Sequence, residues 1–426
     1  MTNYQMPRGT QDILPNEIEK WHALEEYLQK FTTLYHYKEI RTPIFEHTEV
    51  FKRGNDSSDM VNKEMYTFMD NGARSLTLRP EGTAGVCRSF VENKLYGSAD
   101  LPVKLYYMGP MMRYERPQKG RQRIFNQFGV EVLGVKNPYL DVETIALGYS
   151  ILSGLGLKDL VVQLNTLGDD ESRNSYREAL KKHFQGHLNE LCADCRRRYE
   201  QNPLRILDCK VDHDHPAMLS APKISDYLNE ESRDYFEKVK AVLDALEIPY
   251  TVEDRLVRGL DYYTHTVFEI VSVNEEMGSQ ATLLAGGRYD GLIEYFGGPE
   301  MSGIGWALGM ERILLALEAE NIEIAKDEGI DAYVLCLCKE AQLEAFKLTT
   351  TLRSHGFICD TDYQLRSFKA QFKSVERMKA KIAILIGEDE LASHTLSLKK
   401  IDTQEQFKIN ADEIIAKMDE LLEERF

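Results

Sequence analysis

Apolar positions recur at helical spacing soon after the chain begins: Trp21, Leu24, Leu28, Phe31 and Leu34 share one face of a helix expected after Pro15. Asn16 is placed to cap that helix and Glu19 to complete a capping box. From about 40 to 135 the pattern shortens to strand period, and 103–115 with 122–134 reads as two strands joined by the polar, basic loop ERPQKGRQ. Residues 168–227 are polar and helical and have the look of an insertion, after which 250–318 returns to strands and is expected to end in a helix from about 303. From about 330 strand and helix alternate through DAYVLCLC, EAQLEAFKLTTTLRSHG, FICDTDY, a basic helix near 367–380 and KIAILIG. That predicts a small α/β domain with a mainly parallel sheet, joined by a short linker near 325–329.

A chain of 426 residues with these shifts of period suggests two or three domains. The start carries no basic stretch followed by an apolar one, and no run approaches the roughly 18 apolar residues of a membrane span, so no membrane association and a cytoplasmic location are expected. Seven cysteines in so long a chain favour reduced thiols over a disulfide framework. A formal charge of −17 excludes indiscriminate nucleic-acid binding and restricts any RNA contact to local basic patches.

Along RIFNQFGVEVLG a period of two puts Arg123, Phe125, Gln127, Gly129 and Glu131 on one face and Phe128, Val130 and Val132 on the other. A glutamine and a glutamate separated by a glycine make a concave floor for a small polar ligand, although this strand alone reads more readily as a sheet with one wet face. Arg113 and Glu115 in MRYER weaken that reading. A guanidinium fork binds phosphate through two hydrogen bonds, and an adjacent carboxylate can hold nucleotide groups or orient the arginine. GIGWALGMERIL joins Gly303, Gly305 and Gly309 to Arg312, a combination that tight helix–sheet packing explains as often as a nucleotide does. No Walker-type loop is present, and GIGWALG has one residue too many for the dinucleotide fingerprint.

Together these segments resemble the class II aminoacyl-tRNA synthetases. The R-x-E strand, loop and returning strand resemble motif 2, GIGWALGMERIL resembles motif 3, and IRTPIFEHTEVFKR around Pro43 resembles motif 1, for which a buried structural strand is an equal reading. RGLDYYTHTVFEI from Arg258 and LLAGGRYDGLIEYFGG from Leu284 resemble segments that set the histidyl-tRNA synthetase family apart within the class. The resemblance runs nearly end to end, from PRGTQDILP at Pro7 through TLRPEGTAGVCR. It implies an α+β fold: a class II antiparallel sheet with flanking helices over 1–325, the helical insertion at 168–227, and a C-terminal α/β anticodon-binding domain over 330–426.

The resemblance also implies ATP-dependent activation of L-histidine to histidyl-adenylate, transfer to the 3′ end of histidine tRNA, Mg2+ accompanying ATP, and a homodimer. It assigns Glu81, Thr83 and Gln127 to the backbone groups of the amino acid, and Glu131 with Tyr263 to its imidazole. An imidazole offers two ring nitrogens, which a carboxylate and a phenol can address together. Tyr262 and Tyr289 would wall the pocket, with Gly286 and Gly287 letting backbone approach the ligand; core packing is the commoner role of any one tyrosine. Arg113 and Arg258 would gather the reacting carboxylate and α-phosphate, with Glu115 and Arg121 on the nucleotide and Arg312 on its γ-phosphate. Arg116, Gln118 and Arg121 in the loop would meet the acceptor end of the tRNA. Arg366, Lys369, Lys373 and Arg377, at helical spacing opposite Phe368, Phe372 and Val375, could face RNA near the anticodon, a plain solvated face being an equal reading.

Cys192-x-x-Cys195 with Cys209 and His213 could supply four zinc ligands, but reduced thiols in a helical insertion explain the cysteines adequately and are the favoured reading. The alternative function is a catalytically silent, histidine-sensing regulatory subunit on the same core. Such paralogues usually lack the C-terminal domain and degrade the phosphate-binding arginines, whereas this chain keeps both.

Overall fold

A computed structural model describes residues 4–52, 58, 60–118, 120–273, 281–326 and 328–422, in two compact units, Met1–Ala325 and Lys326–Phe426. The first is built on an eight-stranded sheet, ordered Lys38–Glu39, Val103–Met112, Ile124–Leu133, Gly303–Gly309, Thr282–Arg288, Thr264–Ser272, Leu160–Thr166 and Tyr250–Val252. Pairing is antiparallel except at the two edges. Alternation divides its faces: Phe128, Val130 and Val132 pack with Trp306, Leu308 and the helices Ile18–Leu34 and Pro138–Gly154 in one core.

The first helix begins at Ile18 without the Asn16–Glu19 capping box. The carbonyl of Leu14 takes the N–H groups of Glu17 and Ile18 at 2.8 and 3.1 Å, so the first turn is satisfied by a preceding turn of backbone. Its buried stripe runs Trp21, Leu24, Leu28, Thr32, and Leu34, two residues round from Thr32, is 70% exposed. Gly303–Gly309 is a strand, not the start of a helix, and the helix runs over Met310–Ala319. Ladder pairing on both sides, with Ile124–Leu133 and Thr282–Arg288, overrides any helical preference of that segment.

Residues 168–227 carry the helices Asp170–Phe184 and Ala193–Gln201. Their apolar side chains Tyr176, Leu180, Leu204 and Ile206 join the same core as Leu105, Tyr107, Tyr263 and Tyr289, so in packing the segment is continuous with the sheet. IRTPIFEHTEVFKR contributes the short strand Phe45–His47 to a three-stranded sheet, where Ile44, Phe45, Phe68 and Met69 are exposed; Arg53 lies outside the described residues. The buried-strand reading of that segment therefore fails.

In the second unit the strands Ala332–Cys336, Cys359–Thr361 and Ile382–Ile386 are parallel and connected by the helices Gln342–Ser354 and Phe368–Arg377. Two antiparallel strands, Thr395–Lys400 and Gln406–Asn410, extend the sheet beyond Ile382–Ile386.

Candidate active site

Val103–Met112 and Ile124–Leu133 pair so that Tyr107 faces Gly129 and Leu105 faces Glu131. On the face opposite the Phe128–Val132 core opens a cleft of about 490 Å³. Its lining brings together Glu81, Thr83, Arg113, Glu115, Arg121, Gln127, Arg258, Tyr262, Tyr263 and Arg312. Glu131 and Tyr289 lie just behind that lining, and Arg116 and Gln118 lie off it.

One side of the cleft is cationic. Arg113 donates through Nε to the Pro80 carbonyl at 2.8 Å, which fastens the RPEGT turn to the strand end, and its Nη1 lies 3.8 Å from Glu115. Glu115 is also 3.3 Å from Arg121. Arg312 donates to the Thr282 carbonyl at 2.6 Å; burial, and then the charge of Arg121, hold its pKa below the ordinary value. A guanidinium held down by desolvation and like charge is relieved by an arriving anion. Arg258 is ion-paired with Glu269, which accepts a bond from Thr282 at 2.7 Å. Burial is the largest influence on Arg258 and works against its charge, but Glu269, Tyr263 and Asp208 together outweigh it and leave its pKa raised. The Nε of Arg258 is buried without a hydrogen-bond partner.

The other side is a polar floor. Glu81 caps the Thr83–Glu92 helix, accepting from the N–H groups of Thr83 at 2.6 Å and Ala84 at 3.0 Å. The Thr83 hydroxyl donates to Glu131 at 2.6 Å, and Tyr289 donates to the other Glu131 oxygen. Burial pushes the Glu131 carboxyl up to about 8, against the Thr83 and Tyr289 bonds that lower it, with Glu81 adding to the rise. Burial also raises the Tyr263 hydroxyl, with Arg258 opposing. Tyr262 packs on Tyr263 and Tyr289 with ring centroids 4.7 and 5.7 Å apart. The side-chain oxygen of Gln127 is buried and unpartnered on the lining, an acceptor available to a ligand.

The glycines have a different use from the expected one. A Cβ at Gly305 would come within 1.9 Å of Glu131, at Gly303 within 2.2 Å of the Tyr289 ring, and at Gly287 within 2.8 Å of the Tyr263 ring. At Gly286 it would meet the Gly305 carbonyl at 2.2 Å. These positions make room for the protein's own carboxyl, phenols and backbone rather than for a ligand. Gly309, with only Arg312 Cβ at 3.9 Å, stays open on the lining.

Tyr107, Asp208, Lys210, Glu269 and Glu311 also line the cleft and were not singled out from sequence. Counting back by twos from Arg113 reaches Tyr107, a parity signal that was available. Asp208 and Lys210 arrive from a segment remote in sequence and carry no local mark.

The remaining candidates are dispersed. Arg116 and Gln118 are exposed at a hairpin tip where Gln118 and Arg121 exchange backbone bonds at 3.1 and 2.9 Å; Lys119 is outside the described residues. On Phe368–Arg377, Lys369, Lys373 and Arg377 are exposed, but Arg366 precedes the helix and is tied by its side chain to buried Asp362. The expected basic stripe therefore has three members, and Phe368, expected on its inner side, is 51% exposed. Cys192, Cys195 and Cys209 converge, joined by a carboxylate oxygen of Asp212, all four ligand atoms within 4.8 Å of one another. His213 is not among them; its ring is exposed and pairs with Asp214 at 2.7 Å. The turn after Cys209 returns position 212 to the sulfur and carries 213 outward.

Residues 9–313 match the family model described as histidyl-tRNA synthetase, and residues 331–421 the one described as anticodon binding domain. The chain is 54% identical over 420 residues to the histidine–tRNA ligase of Geobacillus sp. (strain WCH70), covering 98% of this chain and 99% of that one. It is 53% identical over 422 residues to that of Listeria innocua, covering 99% of each. Among solved structures, apo S. aureus histidyl-tRNA synthetase superposes with a TM-score of 0.83 at 46% identity, covering 98% of this chain and 100% of that one.

Proposed function

The chain belongs to the histidyl-tRNA synthetase family and is a histidine–tRNA ligase; on that premise we propose how its cleft divides the work. L-histidine and ATP bind side by side, the histidine carboxylate attacks the α-phosphate in line, and histidyl-adenylate and pyrophosphate form. The adenylate then passes its histidyl group to the terminal ribose of histidine tRNA. No protein nucleophile is needed, because the barrier lies in bringing two anions together and stabilising charge on the phosphoryl oxygens.

Arg113 and Arg258 hold the reacting carboxylate and α-phosphate, and Arg312 with Arg121 and Glu115 holds the rest of the nucleotide. Mg2+ accompanies ATP, and the carboxylates of Glu115 and Glu269 on the lining offer the oxygen donors it favours. Glu81, Thr83 and Gln127 take the amino-acid backbone. Glu131 and Tyr263 take the ring, with Tyr262 and Tyr289 as walls; the bonds from Thr83 and Tyr289 fix the Glu131 carboxyl, and each of its oxygens keeps a second lone pair.

Residues 1–325, including 168–227, form the catalytic domain, with Arg116 and Gln118 toward the acceptor end. Residues 330–426 bind the anticodon, with Lys369, Lys373 and Arg377 available to nearby phosphates. The protein acts in the cytoplasm as a homodimer, which the exposed apolar side chains of Ile44, Phe45, Phe68 and Met69 support. No described helix is long and apolar enough to cross a membrane. Nothing favours a silent regulatory paralogue, since Arg113, Arg258 and Arg312 and the C-terminal unit are all present.

The observation that carries this reading is the convergence of those arginines with Gln127, Thr83 and Tyr263 on one cleft. The test is exchange of labelled pyrophosphate into ATP by the purified chain with Mg2+. Histidine should drive it, and labelled histidine should then appear on histidine tRNA. Absence of exchange would remove the activation step, and a stronger response to another amino acid would remove the specificity.

A further inference from the structure

We propose that this chain binds one structural zinc ion through Cys192, Cys195, Cys209 and Asp212. Two turns of the same construction meet there. In C-A-D-C the N–H of Cys195 donates to the Cys192 sulfur at 3.4 Å, and in C-K-V-D the N–H of Asp212 donates to the Cys209 sulfur at 3.4 Å. In each turn a backbone N–H points at a sulfur, an outer hydrogen bond that orients the sulfur toward a shared ion.

The spacings are those of atoms around a shared ion. Cys192 and Cys209 sulfurs are 3.7 Å apart, and Cys209 sulfur is 3.6 Å from Asp212 Oδ2. A tetrahedral zinc, with bonds of about 2.3 Å to sulfur and about 2.0 Å to oxygen, separates sulfurs by roughly 3.8 Å and sulfur from oxygen by roughly 3.5 Å. The sulfurs are too far apart for a disulfide. Cysteines kept only for apolar packing have no use for a carboxylate among them, yet Asp212 is directed there by the Cys192 N–H, which donates to it at 3.0 Å. A sulfur-rich set selects zinc over the hard cations.

Four protein ligands leave no open position, so the ion is structural. It joins the start of Ala193–Gln201 to the 209–212 turn and closes the loop that carries buried Arg205. Arg205 donates to the backbone carbonyl of Arg258 at 2.5 Å, so the ion fastens the support beneath the cleft loop.

The test uses the full chain prepared without a metal-binding tag or chelator. Elemental analysis should find about one zinc per chain, and cobalt substitution should give thiolate-to-cobalt charge-transfer absorption with the intense visible bands of a tetrahedral site. Cys209→Ser and Asp212→Ala should each lower zinc content at least about fivefold, while His213→Ala keeps it. Should Cys209→Ser fail to fold, the cobalt spectrum of the native chain and of Asp212→Cys, expected to retain the metal with stronger charge transfer, decides the matter. Zinc below about a tenth of an equivalent after incubation with zinc, or a cobalt spectrum without charge transfer, overturns the proposal. Full zinc retention by Asp212→Ala together with loss in His213→Ala overturns the ligand set.

Discussion

Glu131 lies against Gly305. The two are partners on neighbouring strands, and a Cβ at position 305 would fall 1.9 Å from a Glu131 carboxylate oxygen and 2.3 Å from the Val130 carbonyl. Neither can yield: one is backbone and the other is held by Thr83 and Tyr289.

Gly305→Ala should therefore cost about 1–3 kcal/mol of stability by overpacking. It should also raise KM for histidine by roughly tenfold, equivalent to about 1.4 kcal/mol, with KM for ATP near native. Gly309→Ala meets only ordinary contact and should melt at the native temperature. Thermal melts and exchange kinetics of the pair check this; equal melting temperatures would mean that Glu131 is not seated as described.

The raised Glu131 pKa has a definite sign in the pH dependence of stability. The folded carboxyl keeps its proton up to about 8, while in the unfolded chain it ionises near its ordinary 4.5. Its contribution is therefore fully present below the unfolded pKa and lost progressively as pH rises through the folded one, at up to roughly 1.4 kcal/mol per pH unit. Glu131→Gln should flatten the decline in denaturation midpoint between those limits. An unchanged slope would show that Glu131 is already ionised.

Arg258→Ala should lower kcat for exchange by about 10²–10³-fold, the scale of losing one preorganised donor to developing negative charge. Glu269 keeps its bond from Thr282, so circular dichroism should be native. Near-native kcat would place Arg258 outside the reaction.

Arg205 touches no ligand position but holds the Arg258 carbonyl, so it is a positioning residue. Arg205→Lys, which can still donate one bond, should recover most of the kcat lost in Arg205→Ala, with histidine KM moving less than kcat. Equal loss of kcat in both would indicate that its role is packing alone.

Strand parity made the arrangement of Gln127, Gly129 and Glu131 legible, because which side chains share a face of a strand is a local property of the backbone. That logic was not carried to GIGWALG, whose glycines suggested a helix start although Ile304, Trp306 and Leu308 alternate at strand period and pack in one core, between strand partners on both sides. The first helix was visible, but its start was not, since the Leu14 carbonyl replaced the side-chain cap. Arg366 looked like part of a basic stripe until buried Asp362, four residues earlier, claimed it. Asp212 was hidden by its neighbour His213, a more familiar zinc ligand, and only the turn geometry separates them. Asp208 and Lys210 reach the cleft through tertiary packing that no local pattern encodes.

Recognition of the imidazole by Glu131 and Tyr263 is tested most directly by comparing histidine with 2-thienylalanine, which keeps the ring size and lacks both ring nitrogens, in pyrophosphate exchange. If those two side chains bond the ring, kcat/KM for histidine should exceed that for the analogue by about 10⁴–10⁵-fold, because the analogue leaves buried polar groups unpaired. Comparable values for the two would contradict it.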